Sequence, residues 1–319
     1  MKILVTGSAG FIGFHLSMHL SKKFEVHGID NLNEYYDKKL KLDRLKLLKE
    51  NRNFTFSKID IRDPKKLINF FKKNRFDYVV HLAAQAGVRY SLTHPNSYID
   101  NNLSGFLNIL ESCRFNGVKH LIYASSSSVY GGNTKLPFSE IDRTDNPISL
   151  YAATKKSNEL MANSYSSLFK IPTTGLRFFT VYGPWGRPDM ALFIFTKNIL
   201  ENIPIEVFNH GKMVRDFTYI DDVVESISRI IKKPPKKNLA RILNIGNSKK
   251  IKLETYIESI EECVGVKAKK VFRGMQDGDV PITHSNTSRI QKLTGFKPNT
   301  DVSVGVQKFV DWYRDYYKK

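Results

Sequence analysis

Apolar residues along the first 180 positions fall into short blocks separated by longer segments of mixed polarity. Residues 2–6, 24–29, 54–59, 78–82, 119–124 and 173–178 are rich in Val, Ile, Tyr and Phe and too short for helices, so each reads as a strand. Between them, 11–22, 37–50, 64–73, 100–115 and 150–169 carry apolar residues at helical spacing, as in the DKKLKLDRLKLLKE run at 37–50. Strands alternating with helices of this length predict right-handed βαβ units, hence an α/β fold with a doubly wound parallel sheet. After Phe178 the pattern becomes irregular. Gly183–Pro188 reads as a loop, and further helices are predicted at 189–201, 221–232, 253–264 and 303–317. The expected organisation is a domain over 1–178, rejoined by segments near 215–245, and a smaller mixed α/β lobe over 179–319 closing one end of the sheet. The KKPPKK run at 232–237 reads as a surface loop.

The length of 319 residues and an apolar content of 41% allow a large core. Cys113 and Cys263 are too few for a disulfide framework and lack metal-ligand spacing, so no metal is expected. Ile3-Leu4-Val5 is too short for a signal peptide, and no segment approaches the ~18 apolar residues of a membrane span. The expected location is cytoplasmic. The net charge is +19, but the lysines are dispersed and accompany no nucleic-acid motif, so a nucleic-acid partner is not expected. A negatively charged diphosphate ligand would still benefit from the field.

Candidate chemistry begins at Thr6–Gly13 (TGSAGFIG), between the first strand and the first helix. Gly7 allows a tight turn, Gly10 lets backbone approach a pyrophosphate, and Gly13 lets helix pack on strand. The N–H groups of the helix start, at Phe11 and Ile12, would face the anion. Asp30 follows the second strand, 17 positions after Gly13, where a carboxylate accepts both ribose hydroxyls and repels a 2′-phosphate. These features point to a Rossmann-type domain binding NAD. Asp60-Ile61 is either an adenine-edge contact or a turn.

Tyr151 and Lys155 are four apart on a predicted helix and share a face. An ammonium beside the phenol, with a positive nicotinamide ring, should lower the phenol's pKa and make it a general base near neutral pH. The pair lies after the hydroxyl-rich segment Ser125–Ser128.

The order TGxxGFIG, HLAA, SSSSVYG, YxxxK, RFFTVYGP resembles the extended short-chain dehydrogenase/reductase family of nucleotide-sugar enzymes over essentially the whole chain. The strings NEYYD (33–37), LAAQAGVRYS (82–91) and YGPWGRPDMA (182–191) are similar to its UDP-glucuronate 4-epimerase branch. The resemblance implies Tyr151 as base, Lys155 as its electrostatic partner and Ser126 as third member. It implies cofactor contacts at Asn31, Leu82, Ala83, Ala84, Gln85, Asn101 and Ser125, and substrate contacts at Gln85, Arg89, Thr180, Val207, Arg215 and Asp279. Ser127 and Ser128 either hold the sugar carboxylate or fill tight strand-end space. Arg187 either pairs with a carboxylate in a fork lysine cannot match or is a surface-loop arginine. Two departures stand out: Thr180 where relatives often carry Asn, and Gln276 where many carry Arg.

The implied reaction is NAD-dependent C4 epimerisation of UDP-glucuronate to UDP-galacturonate through a 4-keto sugar, feeding surface polysaccharide synthesis, in a homodimer built from the helices near 100–115 and 150–169. A UDP-glucuronate decarboxylase and a UDP-glucose 4-epimerase are the alternatives on the same scaffold. A 4,6-dehydratase would need an Asp-Glu pair where Ser127-Ser128 stand. A non-catalytic NAD- or nucleic-acid-binding protein is the alternative of another class.

Overall fold

The strands and helices were assigned in a computed structural model describing residues 1–319. Its first half runs β1 (Lys2–Thr6), α1 (Phe11–Leu20), β2 (Glu25–Asp30), α2 (Lys38–Lys49), β3 (Phe54–Lys58), α3 (Pro64–Asn74) and β4 (Tyr78–His81). Two single turns, α4 (Tyr90–Thr93) and α5 (Pro95–Tyr98), then lead through a π-helical stretch at Ile99–Ser104 into α6 (Gly105–Phe115), followed by β5 (His120–Ser126), α7 (Leu150–Phe169) and β6 (Thr173–Phe178). Helix starts follow local chemistry. The Asp37, Asp63 and Ser149 side chains accept from the N–H groups of Lys39, Lys66 and Ala152 at 2.8, 3.0 and 3.1 Å, satisfying donors the helices cannot.

The second half contains β7 (Thr180–Tyr182), α8 (Ala191–Leu200), β8 (Ile205–Val207), β9 (Val214–Arg215), β10 (Phe217–Tyr219), α9 (Ile220–Ile231), β11 (Ala240–Ile245), β12 (Ile251–Lys252), α10 (Leu253–Val264), β13 (Lys270–Phe272), α11 (Ser288–Thr294) and α12 (Val302–Tyr317). Seven strands form one wholly parallel sheet in the order β11-β6-β5-β4-β1-β2-β3. The order reverses between β1 and β4, and the crevice beyond their carboxyl ends is where ligands of such sheets sit. β11 returns from the second half to pair with β6. Short pairs β7–β10, β8–β13 and β9–β12 stand apart from it.

Strands covered by helices on both faces read as near-continuous apolar runs, as Ile3, Leu4 and Val5 do, all fully buried. On one face Val5, Phe14 and Leu16 join a core that continues through Phe193, Val306 and Phe309 of the second half. On the other, Leu4, Leu67, Phe71, Ile109 and Leu121 pack together. The helix expected at 100–115 is present, but it begins earlier and its first part, Ile99–Ser104, is π-helical. Pro95 opens a new turn, and the π-helical stretch carries Asn102 inward to the sheet's end.

Candidate active site

A cavity of about 760 Å³ opens at the carboxyl ends of the strands, lined on one side by the glycine loop and on the other by segments of the second half. Gly7 has φ +71°, and a Cβ there would stand 2.8 Å from Ala83 N. A Cβ at Gly13 would stand 2.1 Å from Gly7 O. Loop, helix and β4 end are thus in backbone contact, closer than any side chain allows. The first α1 amide to bond back is Phe14 N–H, onto Gly10 O at 2.9 Å. The Phe11, Ile12 and Gly13 amides remain as an anion-facing donor set at the positive end of the helix.

Asp30, 9% exposed, accepts from Ala9 N–H at 3.2 Å and Leu32 N–H at 2.8 Å. Burial raises its pKa, opposed by those amides and by the charges of Lys41 and Arg44. Asn31 and Ile61 line the same wall. Asp60 does not. Its carboxylate is taken by Arg62 at 2.7 Å and by Asn31 Nδ2 at 3.1 Å. Burial pushes its pKa up, but Arg62 and Asn31 outweigh it and bring it down to about 2. Of the two readings left open for Asp60, the structure favours the turn. Thr6 Oγ1 accepts from Leu82 and Ala83 N–H at 3.1 Å each, fixing the β4 end, where Ala84 also faces the cavity. Asn102 accepts from Gln85 N–H at 2.8 Å, donates to Gln85 O at 3.0 Å and reaches Thr154 Oγ1 at 3.1 Å, so α7 and Gln85 share one anchor. Asn101 lies nearby, donating to Ser97 O at 2.8 Å.

Because side chains alternate along a strand, Ser125 and Ser126 point opposite ways from β5. Ser125 Oγ donates to Glu159 Oε1 at 2.6 Å, and Glu159 is held by Arg177 through two bonds of 2.8 Å. Ser126 Oγ accepts from Ser128 N–H and donates to Ser128 Oγ, both at 3.1 Å. That bond caps the turn at Ser127–Tyr130, which carries Ser127 and Ser128 along the cavity wall. Tyr151 and Lys155 share the inner face of α7. Lys155 Nζ donates to Ala124 O at 3.0 Å, and burial lowers its pKa to about 8.

The expected lowering of the Tyr151 pKa is corrected among the chain's own residues. Dense packing around the hydroxyl raises it, while the neighbouring Ser126 hydroxyl and the charge of Arg187 oppose the rise. Lys155 spends one donor on Ala124 O, which fixes its ammonium on the inner face of α7, and the charge of Arg187 also favours the phenolate.

Arg187 grips Asp189 with Nε at 2.9 Å and Nη2 at 2.5 Å, and Tyr35 Oη donates to the same carboxylate at 3.1 Å. The 33–37 and 182–191 strings thereby meet over the cavity. Of the two readings for Arg187, the one placing it on a solvated surface loop fails, since its side chain is only 22% exposed. Arg89 is exposed at the rim. Arg215 and Asp279 line the cavity and pair with each other at 2.7 Å, and Thr180 lines it as well. Val207 is a correction. It is 1% exposed on β8, paired with Phe272, and absent from the cavity wall. Sequence reasoning missed Glu159, although it stands four after Lys155 and eight after Tyr151 on the same helix face. It also missed Tyr35 and Asp189 as individual residues.

A nicotinamide dinucleotide fits these residues: a backbone cradle for the diphosphate with no room for side chains, a buried carboxylate at the end of β2, and a phenol with a cation across the crevice. The chain belongs to the NAD dependent epimerase/dehydratase family, whose match covers residues 3–246, and it is an NAD-dependent enzyme. It is 52% identical to protein CapI of Staphylococcus aureus, each chain covered in full. It is 47% identical to UDP-glucuronate 4-epimerase 4 of Arabidopsis thaliana over 99% of this chain and 76% of that one. Its fold superposes with a TM-score of 0.92 on the UDP-glucuronic acid 4-epimerase of Bacillus cereus, crystallised with UDP-glucuronic acid and NAD, at 35% identity, covering 99% and 100% of the two chains.

Proposed function

We propose that this enzyme converts UDP-glucuronate to UDP-galacturonate. Bound NAD⁺ supplies a reversible hydride acceptor and is regenerated each turnover. Tyr151 takes the proton of the sugar C4 hydroxyl, Ser126 hydrogen-bonds the same oxygen, and the charge of Lys155 favours the phenolate. The 4-keto sugar turns over within the cavity and Tyr151 returns the proton on completion. A 4-keto uronate is a β-keto acid prone to lose CO₂. Ser127, Ser128 and Arg187 keep its carboxylate out of the geometry for that cleavage. Arg215 and Asp279 hold the nucleotide end, with Thr180 on the same cavity wall, so that binding energy comes from groups that do not react.

In this reading the cofactor is held by Gly7–Gly13, Asp30, Asn31, Ile61, Leu82–Gln85, Asn101 and Ser125, within residues 1–178 and the returning segments near 215–245. The remainder forms the substrate lobe. The observation that carries the proposal is a single cavity lined by Ser126, Tyr151, Lys155 and Arg187, with two serines where a dehydratase needs acids. The exposed apolar residues Leu107, Phe115, Leu160 and Leu168, on α6 and α7, support a homodimer through these helices. No helix is long and apolar enough to cross a membrane.

The test is NMR and mass analysis of the product formed from UDP-glucuronate with NAD⁺, beside a UDP-glucose control. UDP-galacturonate is expected. UDP-xylose alone, or turnover of UDP-glucose only, refutes the proposal.

A further inference from the structure

One buried cation takes no part in the chemistry above. Arg44, on α2, is 0% exposed and does not reach the cavity wall. Its Nη1 donates to Ala9 O at 2.8 Å and Tyr36 Oη at 2.7 Å. Its Nη2 donates to Trp185 O at 2.5 Å and to Gly186 O at 3.4 Å. These acceptors are carbonyls and a phenol, with no carboxylate among them.

The two ends it joins are the two halves of the site. Ala9 lies in the glycine loop, directly before Gly10, and its N–H is held by Asp30, so the two peptides flanking Ala9 are each held by a side chain. Trp185 and Gly186 directly precede Arg187. Trp185 sits at φ +59°, a left-handed conformation that a bulky residue keeps only when its surroundings hold it. His15 Nε2, from α1, adds a bond to Pro184 O at 2.9 Å. Three consecutive carbonyls of the substrate-side loop are thus held from the cofactor-binding half. A guanidinium can do this because its donors are fixed in a planar fork, which an ammonium lacks.

We propose that Arg44 is a positioning residue that seats the glycine loop and the Arg187 loop as one unit, so that cofactor affinity and sugar-nucleotide affinity are set together. The proposal rests on the functional reading above.

The test is Arg44→Lys, which keeps the charge and loses the fork. Calorimetry reads NAD⁺ affinity, and steady-state kinetics with UDP-glucuronate separate KM from kcat. The expected result is about tenfold weaker NAD⁺ binding together with a comparable rise in KM, kcat falling less than KM rises, and an unchanged far-UV circular dichroism spectrum. Loss confined to NAD⁺ affinity, or values like those of the wild type, overturns the proposal. Should the lysine variant not fold, Tyr36→Phe loosens Arg44 without emptying its site. Smaller shifts of both quantities in the same direction then support the proposal, and unchanged values overturn it. If the wild type leaves UDP-glucuronate unchanged, the functional reading fails alone. Calorimetric titration of UDP-glucuronate and UDP-glucose then replaces KM, and joint weakening of both ligands still supports the positioning role.

Discussion

Removing Glu159 should damage this enzyme more than removing any surface acid. Its carboxylate meets Arg177 in two bonds of 2.8 Å, with side-chain exposures of 6% and 4%, and receives Ser125 Oγ at 2.6 Å. Burial pulls the Arg177 pKa down, yet Glu159 outweighs it and leaves the guanidinium more firmly charged than in water. Glu159→Ala leaves that charge buried without its anion, at ~3–5 kcal/mol, and strips Ser125 of its acceptor for about 1 kcal/mol more. Glu159→Gln keeps an oxygen for Ser125 and should lose less. The double variant Glu159→Leu with Arg177→Met removes both charges and should recover most of the loss, since a buried pair and an apolar replacement are often nearly equal in stability. Urea unfolding at neutral pH measures these variants and the wild type, with the singles Glu159→Leu and Arg177→Met completing the cycle. A loss for Glu159→Ala typical of an exposed pair, under about 1 kcal/mol, would refute the argument. So would a double variant whose loss equals the sum of the singles.

Tyr151→Phe should lower turnover by a factor on the order of 10²–10⁴ while NAD⁺ binding measured by calorimetry persists, and near-normal turnover would remove Tyr151 from the reaction. Lys155 titrates at about 8 when folded against 10.5 unfolded, so the unfolded chain binds more protons between those values, and stability relative to Lys155→Met should rise with pH through that window. The gain is on the order of 3 kcal/mol by unfolding at pH 7 and pH 10.5, and turnover should fall above about pH 8 as the ammonium is lost. Gly13→Ala forces a methyl to 2.1 Å from a backbone oxygen, so the loop must shift, and fluorescence titration should show much weaker NAD⁺ binding with the fold retained.

The parallel sheet was legible because its central strands β1, β4 and β5 are buried and written as short apolar runs, and because each βα unit repeats one grammar. The glycine loop, Asp30 and the Tyr151–Lys155 pair were legible because their spacing is local. Residues whose partners are distant in sequence were not. Arg44 looks like one more cation on a lysine-rich helix, and only the approach of Trp185, 141 positions later, buries it. Asp216 is a plain acid beside Arg215, yet it collects Asn247, Ser248 and Ser285 amides at 2.7 to 3.0 Å from two other segments. Val207 failed in the opposite way. The resemblance assigned it a role by position, but its strand turns it into the core, where the pairing with β13 needs it. The Tyr151 expectation rested on an ammonium and a nicotinamide ring acting together, and the chain's own packing works against both by raising the phenol's pKa.

The last helix gives the site a schedule during synthesis. Trp312 and Tyr316 of α12 stand 5.2 and 5.0 Å from Trp185, ring centre to ring centre, and Tyr316 hydrogen-bonds Asp43 of α2. A ribosome releases every strand of the sheet well before residues 312–316 emerge. Until they do, the aromatic cover over the Trp185 loop is missing. A nascent chain can therefore own its complete nucleotide cradle and still lack a finished enzyme, and a shortened carboxyl terminus leaves it in that condition for good.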